Sequence, residues 1–335
     1  MVSLIDQQRI AVANSELLPE ITHSQTLLKK ISDNWYRRAQ VTKVKDVREQ
    51  NKQLDRNFET QRDDFPIELL PFRDHPLFAE APIELQKKVL SCGWIAYNQK
   101  TVDIETKLIS PACNHIIYGE VPGSDNAVAR QSASDTLVDE AYHTQLVVAA
   151  CNITRQHRGL QYLRLPSFKL IREMEILKEA QAERWQKILI QMVTAIVSEI
   201  FISDYLELLS KDTEILPFNR LTVATHLQDE KAHHSIFKIL AKSIYAHLNL
   251  EQKQFFAEIL PQPIRWFANQ ELEVWLAMLQ QIDFPHAEQI IGDCLTNLEI
   301  NLQRIDYSEI TSLAYELGIL DNAIYSDCFF QAGLL

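Results

Sequence analysis

The sequence predicts an all-α fold, a four-helix bundle core carrying additional N- and C-terminal helices. Glycine is scarce at 7 of 335 residues and proline modest at 12, whereas turn-rich β folds and glycine-loop nucleotide folds use more glycine. Long stretches of apolar residues at helical spacing are separated by proline and short polar turns. Two of these stretches carry the same pattern, DEAYH at 139–143 and DEKAH at 229–233. At 46% hydrophobic residues the chain can bury a sizeable core, expected as a single domain over 1–335.

Residues 16–50 read as helical, and 51–80 as an irregular, charged arm ending in the proline-punctuated FPIELLPFRDHPLF. Pro82 marks a helix start, and the next helix is expected to run to Pro111. After the turn signals of VPGSDN comes a helix over about 126–156. A further long helix spans about 172–210, and its segment QMVTAIVSEIFI is apolar nearly all round, as at the centre of a bundle. Pro217 precedes a helix over 220–248, and the tail, 249–335, reads as shorter helices broken at Pro261, Pro263 and Pro285. The helices of 85–248 form the expected metal-binding core, with 1–80 and 249–335 as decoration.

Composition excludes several functions. A net charge of −12 argues against nucleic-acid binding, which needs a basic surface. No phosphate-cradling glycine motif occurs. The five cysteines (Cys92, Cys113, Cys151, Cys294, Cys328) are widely spaced without CxxC and read as reduced, mostly buried thiols of a cytoplasmic protein. No basic-then-apolar leader and no run of about eighteen apolar residues is evident, so neither export nor a membrane span is expected.

Glu-x-x-His places both side chains on one helix face. Composition alone yields about 0.8 such pairs, and Glu20/His23 is read as the chance one. Requiring Asp before the Glu lowers the expectation to about 0.05, yet Asp-Glu-x-x-His occurs twice. The aspartate has a chemical role. A metal-bound imidazole donates its other N–H to a partner, and a carboxylate there fixes tautomer and orientation. In bundles of this kind the aspartate commonly serves the histidine of the opposite helix, so Asp139 is expected to hold His233, and Asp229 to hold His143.

Dimetal bundles combine an ExxH from each of two helices with one Glu from each of two others. Glu199 lies in MVTAIVSEIFI, where an unpaired buried carboxylate would cost several kcal/mol or be protonated. Glu105 shares a face with Trp94, Asn98 and Thr101, while the competing Asp103 points about 200° away. The order becomes Glu105, Glu140/His143, Glu199, Glu230/His233, with a pair of metal ions as the reason for the set. His226 lies on the stripe of Glu230 and His233, whereas His234 is one residue off it.

These residues resemble the p-aminobenzoate N-oxygenase family of non-haem di-iron enzymes, through TVDIET, DEAYH, VSEIF and HLQDEKAH between about 85 and 235. The resemblance implies a ferritin-like bundle with Glu105, Glu140, His143, Glu199, His226, Glu230 and His233 as iron ligands, His226 being the seventh. It implies O₂ activation at two reduced irons and oxidation of an amine nitrogen to hydroxylamine, nitroso or nitro products, as in natural-product biosynthesis. Electrons are expected from an external two-electron donor, a reductase or ferredoxin, and the protein is expected as a homodimer.

Tyr97 corresponds to a pocket-lining tyrosine of the family, Asn98 accompanies it, and Ser203 stands where the aminobenzoate enzymes carry an amide side chain. That departure leaves open a different amine, an amino acid or an amine tethered to a carrier protein. Arg265 and Arg304 are candidates for binding a substrate carboxylate. The alternatives are a carbon hydroxylase of the same fold, a ferroxidase, and a radical-storing protein. Ile109 stands where the last would carry its tyrosine. Manganese suits the same donors.

Overall fold

The computed structural model describes residues 23–44, 47–296, 306 and 308–335. The chain opens with helix α1 (23–33) and α2 (Trp35–Arg38), a tight turn at Gln40–Thr42, and α3 (Val47–Arg56). The short α4 (Pro76–Ala79) leads into α5 (Ile83–Asp103), which passes through a π-helical segment, Ile104–Ile109, into α6 (Ser110–Ile117). Helix α7 (Ala127–His157), α8 (Lys169–Glu179), α9 (Arg184–Lys211) and α10 (Pro217–His247) follow. The tail comprises α11 (Leu250–Ile259), α12 (Pro261–Phe267), α13 (Leu272–Gln281), α14 (Ala287–Thr296), α15 (Ser308–Glu316) and α16 (Ala323–Gln331). Among the described residues no strand occurs, and the β-type pairing is confined to isolated bridges such as Asp63 to Ile215.

The core is the ferritin-like bundle of α5–α6, α7, α9 and α10, which pack on one another. Each has a local reason to begin where it does. Asn126 caps α7 by accepting the Ala129 N–H at 3.0 Å. Pro217 occupies the first turn of α10, where its missing N–H costs nothing. Helix α9 is long and apolar enough to cross a bilayer, but 88% of that stretch is buried inside the bundle.

Four features differ from the sequence expectation. The helix expected to stop at Pro111 continues to Ile117. The π turn makes this possible: the Ser110 N–H reaches back to the Glu105 carbonyl. Pro111 cannot donate to the Lys107 carbonyl, and Gln191 of α9 does so instead, its Nε2 donating to Lys107 at 3.2 Å and Leu108 at 2.8 Å. The helix expected over 172–210 is two helices. Glu183 leaves helical geometry at ψ 136° and forms a reciprocal cap with Gln186, without glycine or proline to announce it. In the arm, helix α3 extends into the stretch expected to be irregular, and Pro261 and Pro263 both sit within the first turn of α12 rather than each breaking a helix.

Gly93, in the middle of α5, is a packing requirement. A Cβ there would lie 2.8 Å from Phe65 Cδ1 and 3.1 Å from Trp275 Cη2. Replacing a mid-helix glycine by alanine gains about 1 kcal/mol in helix propensity, but overpacking costs about 1–3 kcal/mol. Gly93→Ala is therefore expected to be net destabilising by about 1 kcal/mol, read as a lowered urea midpoint at unchanged slope. A raised midpoint would contradict this packing account.

Candidate metal centre

Each bundle helix contributes donors to one buried region. The π segment brings Glu105, α7 brings Glu140 and His143, α9 brings Glu199, and α10 brings His226, Glu230 and His233; all seven are buried. Their donor atoms form two groups, each within 4.8 Å: Glu105, Glu140, His143, His226 and Glu230, and Glu140, Glu199 and His233. Glu140 belongs to both, with Oε2 3.0 Å from His143 Nδ1 and Oε1 3.0 Å from His233 Nδ1. Glu230 also faces both, its Oε1 lying 2.8 Å from His226 Nε2, 3.3 Å from His143 Nδ1 and 3.4 Å from His233 Nδ1. Two carboxylates thus stand between two donor groups, as a pair of cations sharing ligands requires.

The imidazoles are oriented from behind. His143 Nε2 lies 3.2 Å from Asp229 Oδ2, and His233 Nε2 lies 3.1 Å from Asp139 Oδ2, so each aspartate reaches the histidine of the opposite helix. This leaves both Nδ1 atoms facing the centre. Asp103 points elsewhere, pairing with Lys107 at 2.8 Å, and His234 lies partly exposed 3.9 Å from Glu309.

The donors fit metal ions better than they fit one another. Glu199 Oε2 and Glu230 Oε2 are buried without a hydrogen-bond partner, each a cost of about 1–3 kcal/mol unless something else satisfies it, and Glu140 Oε1 faces His233 Nδ1 at 3.0 Å. Burial, then the Glu140 carboxylate, pushes Glu105 well above the ordinary range, and burial, then Glu230 and Glu140, does the same at Glu199. Burial opposes charge at Glu140 and Glu230 too, but the neighbouring imidazoles, His233 foremost, overcome it and hold Glu140 well below the usual range and Glu230 at about 2. Burial and His226 disfavour a charged His143, yet its bonds to Asp229 and Glu140 raise it to about 9; at His233 the Glu140 and Glu230 carboxylates outweigh burial and raise it well above its ordinary value. Without metal the cluster stores protons. Two divalent cations would neutralise the four carboxylates and release them.

A narrow cavity of about 80 Å³ lies along the helices that carry Glu105 and Glu199, and none of the seven donors lines it. Tyr97, Thr101 and Ile104 line it from the helix leading to Glu105, Ile202 and Tyr205 from the turn after Glu199, and Phe267 and Trp275 from the tail. Tyr97 stacks against Tyr205 with ring centres 5.6 Å apart. Of this wall the sequence reading named Tyr97 as a pocket residue and missed the rest, including its two charged members. Lys100 Nζ pairs with Glu271 Oε1 at 2.9 Å, and Glu271 is held in the left-handed region at φ 54°. A lone lysine on the Tyr97/Ile104 face was the available signal for Lys100; nothing local marks Glu271. Asn98 and Ser203 do not line the cavity, and the Asn98 amide is turned to the Trp94 carbonyl at 2.7 Å. Arg265 borders a separate outer groove, while Glu20 and Arg304 lie outside the described residues.

Fold and site together define a ferritin-like helical-bundle metalloprotein with a carboxylate-rich centre. The chain matches the family described as P-aminobenzoate N-oxygenase AurF over residues 22–318 and belongs to that family. It is 32% identical over 297 residues to the 4-aminobenzoate N-oxygenase of Streptomyces thioluteus, a match covering 88% of this chain and 86% of that one.

The stored protons give a pH dependence with a definite sign. Metal needs the lone pairs of His143 and His233 and the ionised forms of Glu105 and Glu199, all of which hold protons more tightly than usual. Metal affinity is expected to rise with pH through neutrality towards about 9, the value for His143, and uptake to acidify a weakly buffered solution. Calorimetry in buffers of different ionisation enthalpy would count the protons. Uptake without proton release would contradict the arrangement.

Proposed function

We propose that the cluster binds two iron ions and that the protein is an O₂-dependent oxygenase of the nitrogen of a small aromatic amine. The observation that carries this is the pair of donor groups sharing Glu140 and facing Glu230, in a chain belonging to an N-oxygenase family. Glu105, His143 and His226 would hold one iron, Glu199 and His233 the other, with Glu140 and Glu230 between them. Iron, reduced by an external reductase or ferredoxin, supplies the O₂ activation when bound.

The chain's own residues do the rest. Asp139 and Asp229 keep His143 and His233 in the tautomer that presents Nδ1 inward. His226 crowds one position, its ring centre 4.0 Å from that of His143. The cavity along the helices of Glu105 and Glu199 would take the amine and exclude water. Its two charged wall residues, Lys100 and Glu271, are paired with each other, so the remaining lining is mainly aromatic and aliphatic. Such a wall suits a flat aromatic ring, and at about 80 Å³ the cavity must widen to admit one. Membership of an N-oxygenase family supports an oxygenase over a ferroxidase.

The test is anaerobic iron loading, then addition of reductant, O₂ and an arylamine such as 4-aminobenzoate or aniline. About two irons per chain are expected, with products matching authentic hydroxylamine, nitroso or nitro standards. Ring-hydroxylated products would identify a carbon hydroxylase. Glu199→Ala is expected to lose about one iron and all oxygenation while its metal-free form melts above the metal-free parent, because a desolvated carboxylate is gone. His226→Ala is expected to retain metal and lose at least about tenfold in turnover. Full iron loading and unchanged turnover in both variants would sink the ligand assignment.

A further inference from the structure

The N-terminal segment is fastened across the back of the metal site. Trp35 Nε1 donates to Asp139 Oδ1 at 2.9 Å, and the Gln40 backbone N–H donates to both oxygens of Asp229, at 3.1 and 3.2 Å. These are the two buried aspartates that orient His233 and His143. Between the fastenings lies Arg38, with Nη1 3.6 Å from Asp139 Oδ2 and 3.9 Å from Asp229 Oδ1. Among the described residues no other lysine or arginine comes within 4 Å of either aspartate. All three guanidinium nitrogens are buried without a hydrogen-bond partner.

A buried guanidinium without hydrogen bonds is costly, so its position needs an electrostatic reason. Two fully buried like charges on facing helices supply one. Each aspartate uses one oxygen on its imidazole, and the strap residues and Arg38 address the rest of the pair. A carboxylate behind a metal-bound imidazole sets the ring's orientation and basicity, and its own partners therefore matter to the metal.

We propose that Arg38, with Trp35 and Gln40 on the same strap, is a positioning residue of the metal centre. It acts through Asp139 and Asp229 on both imidazoles at once. The inference rests on the reading of the cluster as a two-metal site. It predicts that the strap governs metal affinity and coordination geometry without contacting metal or substrate.

The experiment uses the full-length, metal-free protein and Co(II), whose visible absorption reports coordination geometry. Affinity is measured by competition with a chromogenic chelator, and folding separately by thermal melting of the metal-free proteins. Arg38→Met is expected to weaken Co(II) binding about 10- to 100-fold and shift the spectrum, with a metal-free melt that still shows one cooperative transition. Arg38→Lys, which keeps the charge, is expected to recover most of the affinity. Trp35→Phe, which removes only the donor to Asp139, is expected to alter the spectrum and weaken binding less. Wild-type affinity and spectrum in Arg38→Met would overturn the proposal, and failure of Arg38→Lys to improve on Arg38→Met would overturn its electrostatic basis. Should Arg38→Met not fold, an unchanged affinity and spectrum in Trp35→Phe would overturn it instead. If the wild-type protein bound no Co(II), the two-metal reading itself would fail, an outcome distinct from all of these.

Discussion

Four glutamates share one buried volume at the centre of this bundle, and they cannot all be ionised there without cations. Desolvation raises Glu105 and Glu199, while Glu140 and Glu230 remain ionised only by borrowing charge from the imidazoles. The apolar surroundings make the constraint severe. Glu199 lies on α9, whose neighbours in the core are almost entirely aliphatic. A site so unsatisfied on its own is poised for metal, because the free energy released on binding includes relief of this repulsion. The helices must in turn be rigid enough to prevent relaxation. The capped start of α7, the first-turn proline of α10 and the Gln191 amide gripping the Lys107 and Leu108 carbonyls all serve that rigidity.

The π segment shows how closely fold and site are coupled. One extra residue per turn at 104–109 changes the direction in which side chains leave the helix around Glu105. The same irregularity removes the penalty at Pro111, so the helix passes through a proline that should have ended it. A helix-breaking signal in the sequence was real. It was answered by a side chain 80 residues away, which no local reading can supply.

What the sequence disclosed follows the same division. Periodicity marked the helices that are amphipathic or wholly apolar, and the duplicated Asp-Glu-x-x-His marked α7 and α10, because residues three and four apart must share a face. Glu199 was legible because a carboxylate in an aliphatic run needs a partner. The crossed aspartate–histidine pairs were legible from chemistry, since a metal-bound imidazole needs an acceptor. The break at Glu183 was not, because its cap uses ordinary helix-forming residues. Neither was the Lys100–Glu271 pair, whose members lie in different parts of the chain and meet only in the folded wall. Asn98 and Ser203 were expected in the substrate pocket, but neither lines the cavity, and spacing does not say which side chains turn towards one.

The N-terminal segment read as decoration, yet it completes the electrostatics of the centre. Six buried carboxylates surround the site once Asp139 and Asp229 are included with the four glutamates. Two divalent cations would balance the glutamates and leave the aspartates, each already committed to an imidazole. Arg38 is the cation placed between them, on a strap whose other bonds end on the same two residues. The chain therefore surrounds its donors with layers of decreasing negative charge. Glutamates face the centre, aspartates stand behind the histidines, and a guanidinium closes the back. The cavity opens on a different side, against the Glu105 and Glu199 helices. The cavity and the strap thus lie on separate sides of one bundle, so changes to the aromatic wall leave the strap and its aspartates as they are.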